Sequence, residues 1–152
     1  MKRIFALTTA LLLTIGVSTG FARSGNNGGH SSNDKSNAWL RKDFAQVELL
    51  DTKTGADYTR LTFKMSGIIL TAFYSNQGEL LAVTHNIAST QLPLTLLMQV
   101  KHDYANYWIS DLFELNSHGV SNYYITLENA DKTITLRSSE NIWELFCKTN
   151  KE

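Results

Sequence analysis

The sequence has very little cysteine, very little proline and no excess of charge. Cys147 is the only cysteine and Pro93 the only proline. A single cysteine can form no disulfide within the chain, so stability must come from apolar packing. The 14 basic residues equal the 14 acidic residues, so the composition gives no general attraction to nucleic acid or to an anionic membrane.

The sequence also lacks the motifs that mark common catalytic and metal sites. No two of its four histidines stand at metal-ligand spacing, and no carboxylate pair has a spacing typical of acid–base catalysis. Residues 23–152 contain neither a Gly-x-Ser-x-Gly motif nor a phosphate-binding glycine loop. Cys147 lies in an apolar terminal stretch, where we expect a small buried side chain rather than a nucleophile. We therefore expect no enzyme, no catalytic residue, no metal and no cofactor.

The N-terminus contains the long apolar run of the chain. Lys2 and Arg3 precede apolar residues 4–17, and small residues at Gly20 and Ala22 fit a cleavage site. This predicts a signal peptide at residues 1–22; the alternative is an uncleaved anchor, although the run is short for a membrane span. Without Lys2 and Arg3, 12 basic residues face 14 acidic ones, a net charge of −2. We expect a periplasmic or secreted protein, with no stable membrane insertion after cleavage.

Two similar junctions divide the remaining chain into halves. Residues 43–48 and 103–108 each begin with an acid, an aromatic residue, an alanine and an amide residue, and each leads into an extended run. Residues 23–37 are rich in Gly, Ser and Asn, which predicts a flexible leader. The expected domain covers residues 38–150, in two repeats at about 38–88 and 89–150.

Each half is predicted to contain one amphipathic helix. In the first, which we expect to start near residue 38, Leu40 and Phe44 share a face. The second, main helix is expected to be capped by Ser89 or Thr90 and to have Pro93 in its first turn. Its apolar stripe is spaced by four residues: Leu92, Leu96, Val100 and Tyr104.

The rest of each half reads as four strands with short connections, which favour antiparallel neighbours. Tyr123, Ile125 and Leu127 alternate with Tyr124, and the turn at 129–131 leads to a strand that ends near Arg137. We predict an α+β fold of tandem helix-plus-four-stranded antiparallel sheet units. Both helices should lie on one face and leave an open concave face on the other, with the sheets paired edge to edge or packed side by side.

Three stretches resemble a known family. They are AFYSNQGELL at 72–81, IASTQLP at 87–93 and YYITLE at 123–128. They are similar to the glycine hairpin, the Leu-Pro helix start and a later strand of the β-lactamase-inhibitor-like, PepSY-like family of secreted bacterial proteins. The resemblance covers roughly residues 39–147. It implies tandem helix-plus-four-strand units with a concave sheet, and no activity, because the family name rests on structural similarity to an inhibitor.

The open face supplies the candidate binding residues. They are Tyr58, Arg60, Lys64, Trp108, Tyr124 and Arg137. Tyr, Trp and Arg are enriched at binding hot spots, but a slip of one residue in strand register would reverse every face assignment. We predict a non-enzymatic module that binds an unidentified protein or peptide through this face, with inhibitor-like action as one form of that binding. The alternative is a small-ligand or cell-envelope sensing module with an apolar pocket between helix and sheet.

Overall fold

The computed structural model describes residues 30–151, so the predicted signal peptide and the first part of the predicted leader lie outside the described residues. Two α-helices, a 3₁₀ turn and eight strands follow one another in these residues. Their order is α1 (His30–Asp43), β1 (Glu48–Thr54), β2 (Tyr58–Met65), β3 (Ile68–Ser75), β4 (Leu80–Asn86), the 3₁₀ turn (Ser89–Gln91), α2 (Leu94–Asp103), β5 (Trp108–Ser117), β6 (Val120–Glu128), β7 (Lys132–Ser139) and β8 (Ile142–Asn150).

The eight strands form one antiparallel sheet in chain order, β1 to β8. The two halves join edge to edge where β4 pairs with β5, from Val83 opposite Asn116 to Asn86 opposite Phe113. This confirms the predicted α+β class and decides between the two packing alternatives, because the two four-stranded units make one continuous sheet.

Both helices cover the same face of this sheet. Under α1 lies one apolar cluster: Leu40, Leu61, Phe63, Ala72 and Tyr74. Under α2 lies the other: Leu92, Val100, Leu112, Ile125, Leu127, Ile134 and Leu136. Ala72 is opposite Val83, and Val83 is opposite Asn116, which shares a face with Leu112 four residues earlier. The opposite face of the sheet, which we call the open face, therefore has no helix on it in residues 30–151.

The two helix-to-strand junctions are equivalent, as the repeated sequence pattern predicts. The helix α1 ends at Asp43 and β1 begins at Glu48, while α2 ends at Asp103 and β5 begins at Trp108. Each helix thus ends at the acid of its junction and each strand begins five residues later.

The start of α1 corrects the expected leader boundary. The helix begins at His30, so residues 30–37 are helical rather than part of a flexible segment. Ser36 and Leu40 are one helical turn apart and both are buried, and the Trp39 ring stacks on Tyr74 at a centroid distance of 5.9 Å. Packing against the sheet therefore extends the helix into a segment whose composition alone favours disorder.

The start of α2 also differs from the prediction. Residues 89–91 form a separate 3₁₀ turn, and Pro93 occupies the N-cap position of a helix that begins at Leu94. The Gln91 side chain accepts a hydrogen bond from the Ala88 amide at 2.7 Å, which holds the turn closed. The predicted stripe is confirmed, since Leu92, Leu96 and Val100 are buried.

The expectation of a buried Cys147 in the last strand is wrong. Cys147 is exposed rather than buried, because β8 is the last strand of the sheet and has a neighbour on one side only.

Gln99, which lies off the apolar stripe of α2, also contacts the sheet. Its amide donates to the Asn141 carbonyl at 3.0 Å and accepts from the Trp143 amide at 3.3 Å, so it connects α2 to β8.

A candidate binding surface on the open face

The strand register places all six predicted residues on the open face. Tyr58, Arg60 and Lys64 alternate in β2 with Leu61 and Phe63, which are buried under α1. Tyr124 and Arg137 are directly opposite each other on β6 and β7. They alternate with Ile125 and Leu136, which are buried under α2.

Trp108 reaches the same face from the start of β5. It is opposite Glu128, which lies four residues after Tyr124 on β6 and therefore on the open face. The six side chains come from β2, from the neighbouring strands β6 and β7, and from the start of β5. Their role in binding stays a prediction.

Tyr124 is at the centre of a group that we call the aromatic–arginine cluster: Phe113, Tyr124, Arg137, Glu144 and Phe146. The Tyr124 ring is parallel to Phe113 at 5.1 Å and meets Phe146 edge-on at 5.5 Å. Arg137 donates a hydrogen bond to a Glu144 carboxylate oxygen at 3.0 Å, and this bond is the main reason why the pKa of Arg137 is raised. Stacking and ion pairing fix the orientation of the group on an uncovered surface.

The first half carries a related group in which the arginine makes fewer polar contacts. Tyr58 meets Phe73 edge-on at 5.7 Å, and Arg60 is directly opposite Phe73. The ion pair between Arg60 and Asp51 is long, at 3.8 Å. The Arg60 Nε atom is buried and finds no hydrogen-bond acceptor in the described residues. Arg60 is therefore less firmly held than Arg137.

Trp108 forms a third group at the end of the sheet where β6 meets β7. Trp108 is 54% exposed, and the Lys151 ammonium lies 5.1 Å from the centroid of its ring. Lys151 also donates to a Glu128 carboxylate oxygen at 2.6 Å. This bond, followed by one from Ser110, lowers the pKa of Glu128. The group combines an exposed aromatic ring with charges of both signs.

Each half pairs an arginine with an aromatic residue across two neighbouring strands, and the two residue types change strands from one half to the other. In β2 and β3, Arg60 is opposite Phe73, and two residues along, Thr62 and Thr71 are within 3.4 Å through their hydroxyls. In β6 and β7, Tyr124 is opposite Arg137, and the next open-face pair is Thr126 with Thr135, at 3.2 Å. The open face thus carries two guanidinium–aromatic pairs, each beside a threonine pair.

Sequence reasoning missed the phenylalanines of this surface. Phe73 and Phe113 are buried on the open face because neighbouring side chains cover them, so their apolar character suggests a core position. Phe146 lies in β8, where apolar residues fall on both faces. The register of β8 against β7 also shifts by one residue here, between the β7 residues Thr135 and Leu136. The sequence could have indicated Phe113 and Phe146 only through their positions beside Tyr124 on neighbouring strands. Those positions are known only once the strand pairing is known.

The described depressions lie along strand ends and loops. Four of them have volumes of about 280 to 550 Å³, and none of these four is lined by a residue of α2. Beneath α2, Leu96 is 1% exposed and the Trp143 indole donates to the Leu96 carbonyl at 2.9 Å. The helix–sheet interface at this point is filled by protein side chains, so no observation favours the small-ligand alternative.

Charged and metal-ligating side chains are scattered over the described residues. Residues 30–151 contain no group of three His, Cys, Asp or Glu side chains placed to hold a metal ion. His85 is 3.9 Å from Glu114, and exposed His102 is 2.6 Å from Asp103, so both are local pairs. No helix in the same residues is long and apolar enough to cross a membrane.

Several solved structures share this architecture. A BLIP-like protein from Bacteroides fragilis superposes with a TM-score of 0.64 and 16% identity, over 77% of this chain and 84% of its own. The fold is BLIP-like. A DUF2874 family protein from Bacteroides ovatus has a TM-score of 0.65 and 14% identity, over 83% and 89% of the two chains. A candidate periplasmic protein from Bacteroides eggerthii has a TM-score of 0.66 and 10% identity, over 77% and 87%.

Because the sequence identities are low, the structural similarity establishes the BLIP-like fold and nothing beyond it. The PepSY-like part of the resemblance stays a prediction, since the names of these proteins do not mention it. No family model matches the chain, and no curated protein is significantly similar to it in sequence.

Proposed function

We propose that this BLIP-like chain is a non-enzymatic protein-binding module whose open face docks on another protein or peptide. The observation that carries the proposal is the aromatic–arginine cluster, a pre-arranged group on the sheet face that neither α1 nor α2 covers. The partner is unidentified, and inhibition of that partner is one form the activity could take.

The cluster has the physical character of a protein-binding hot spot. Phe146 is 49% exposed and the Arg137 side chain 44% exposed, so both can lose water to a partner. The Tyr124 ring is already held between Phe113 and Phe146, so little side-chain entropy is lost when it makes a contact. Aromatic and arginine side chains supply a large share of binding energy in known interfaces.

Two further observations support an address outside the cytoplasm. The N-terminal sequence has the charged start, apolar run and small residues of a signal peptide. A protein with the same fold, from Bacteroides eggerthii, is a candidate periplasmic protein. We place the module in the periplasm or outside the cell, where it would meet other exported proteins.

Site-specific photocrosslinking in the exported chain tests the proposal. A photoreactive phenylalanine analogue replaces Phe146 on the open face, and in a matched variant it replaces Met98, which is 57% exposed on α2. We expect a discrete crosslinked protein with the analogue at 146 and none at 98. Equal crosslinking at both positions, or crosslinking at 98 alone, would place the binding surface elsewhere.

A further inference from the structure

The sheet is split at one end between β3 and β4, two strands of its first half. The ladder between β3 and β4 ends at Thr71 opposite Thr84, although β3 starts at Ile68 and β4 continues to Asn86. Beyond that pair, β3 remains paired with β2 and β4 with β5. We call the space between these diverging ends the slot.

The backbone of Ile69 faces the slot. Ser66 and Gly67 have φ values of 51° and 86°, the signature of a two-residue type I′ turn, which makes Met65 and Ile68 exchange hydrogen bonds. Bonding direction alternates along a strand, so the N–H and C=O of Ile69 point away from β2. In residues 30–151 no strand pairs with them on that side.

The backbone of Asn86 faces the slot from the other wall. The Ile87 amide donates to the Leu112 carbonyl at 3.1 Å, so Ile87 bonds toward β5. By the same alternation, the N–H and C=O of Asn86 point away from β5. Extending the register of Thr71 with Thr84 would bring Asn86 opposite Ile69, so the slot lies where one more backbone pair would form.

The walls of the slot are apolar at β3 and polar at its base. Its volume is about 550 Å³, the largest of the four depressions described above. Ile68 and Ile69 are 54% and 59% exposed, while Thr71 and Thr84 lie where the strands meet. Ile69 shares the open face with its cross-strand partner Lys64, so the slot is continuous with the candidate binding surface.

We propose that the slot takes an extended segment of the partner protein, which pairs its backbone with the N–H and C=O of Ile69 and packs an apolar side chain on the exposed Ile69 side chain. This inference rests on the proposed function and specifies the partner's conformation. Strand addition matches the chemistry of the slot, because an extended polypeptide supplies alternating N–H and C=O groups and alternating side chains. A purely apolar ligand would leave the backbone groups of both walls without hydrogen bonds.

Nuclear magnetic resonance of the exported chain, labelled with ¹⁵N, tests the slot directly. The probe is a short blocked peptide of alternating threonine and valine with lysine at both ends; its control is the same peptide with N-methyl groups on the valines. We expect the first peptide to shift the amide resonances of Ile69 and Asn86 saturably, and the N-methylated peptide to bind at least about tenfold more weakly. Equal binding of the two peptides, or no shift at these residues, would overturn the proposal.

A matched pair of variants separates the backbone contact from the side chain. Ile69→Pro removes the N–H that points into the slot and leaves the bonds between β2 and β3 in place, whereas Ile69→Val keeps the N–H. We expect the proline variant to lose at least about tenfold in peptide affinity and the valine variant to stay within about twofold. If the proline variant does not fold, the N-methylated peptide on the unchanged chain decides the matter.

The failure of this inference can be told from failure of the proposed function. Persistent crosslinking of the partner at position 146 in a folded Ile69→Pro variant, with unchanged affinity, would leave the open face as the binding surface and reject the slot. Absence of crosslinking from the analogue at position 146 in a chain that keeps Ile69 would reject the proposed function itself.

Discussion

Tyr74 ties the first helix to the sheet through one hydroxyl group. The side chain is fully buried, and its hydroxyl donates to the Asp43 carboxylate at 3.0 Å. Burial raises the pKa of Tyr74, and the hydrogen bond and the negative charge of Asp43 raise it further. The sequence does not predict this partner, because Asp43 lies 31 residues earlier at the end of a helix.

This pKa predicts a loss of stability in alkali. The unfolded tyrosine has a pKa of 10.0 and the folded one a higher value, so above pH 10.0 the unfolded chain releases a proton that the folded chain retains. The free energy of unfolding should therefore fall as pH rises above 10.0. Urea denaturation across this range should show a shallower fall for Tyr74→Phe; an unchanged slope would contradict the assignment.

Residues on α2 differ in stability cost according to what they touch. Leu96 is 1% exposed, so Leu96→Ala should lower the free energy of unfolding by about 2–5 kcal/mol. Met98 is 57% exposed, so Met98→Ala should cost less than about 0.5 kcal/mol. Gln99→Ala should cost about 1 kcal/mol, because it removes its hydrogen bonds with Asn141, in the turn before β8, and with Trp143 in β8. Chemical denaturation checks the ranking, and equal losses at 96 and 98 would contradict the helix orientation.

At the scale of elements, α1 depends on one glycine in the hairpin between β3 and β4. Gly78 and Gly119 have similar positive φ values, 81° and 78°. A Cβ at Gly119 would meet nothing within 4 Å, whereas a Cβ at Gly78 would collide with the Trp39 ring. The hairpin turn thus forms part of the surface on which α1 docks.

The two glycines give a matched test of that docking. Gly119→Ala should cost only the backbone strain of a positive φ, about 1–2 kcal/mol. Gly78→Ala should cost at least about 1 kcal/mol more, because Trp39 must also move. Thermal and urea denaturation of both variants would measure the difference, and equal costs would mean that α1 adjusts without loss.

The last hairpin is built on an unfavourable pair of residues. Glu140 and Asn141 both have positive φ, at 48° and 69°, as a two-residue type I′ turn requires. Replacing Glu140 with Asn and Asn141 with Gly should therefore raise the free energy of unfolding, by about 0.5–1 kcal/mol. Denaturation of this double variant with no gain in stability would show that the strain is relieved elsewhere.

The ends of elements show what the sequence could and could not predict. Both helix ends and both following strand starts follow from the repeated junctions at Asp43 and Asp103, because the local signal is strong. The start of α1 at His30 depends on tertiary packing, which no local pattern records. Alternation in β6 and β7 was decisive, since the apolar face fixed Tyr124 and Arg137 together.

At the scale of the whole molecule, one sheet of eight strands presents a wide face without helices in the described residues. The α+β class was predictable, because apolar periodicity, short connections and the repeated junction all agreed. The joining of the halves through β4 and β5, and the slot between β3 and β4, were not predictable, because no residue pattern encodes where a ladder stops. The face of Trp108 and Tyr124 was predicted from the sequence, whereas the face of Phe146 could be assigned only from the pairing of β8 with β7.

The claim that the open face is a binding surface is tested most directly by calorimetric titration with the partner that crosslinking identifies. The Tyr124→Ala, Arg137→Ala double variant removes the centre of the aromatic–arginine cluster, and Met98→Ala serves as the control on the other face. The account predicts a loss of at least about 2 kcal/mol in binding free energy, roughly 30-fold in affinity, with a normal unfolding midpoint, and no change for the control. Unchanged affinity in a folded double variant would contradict it.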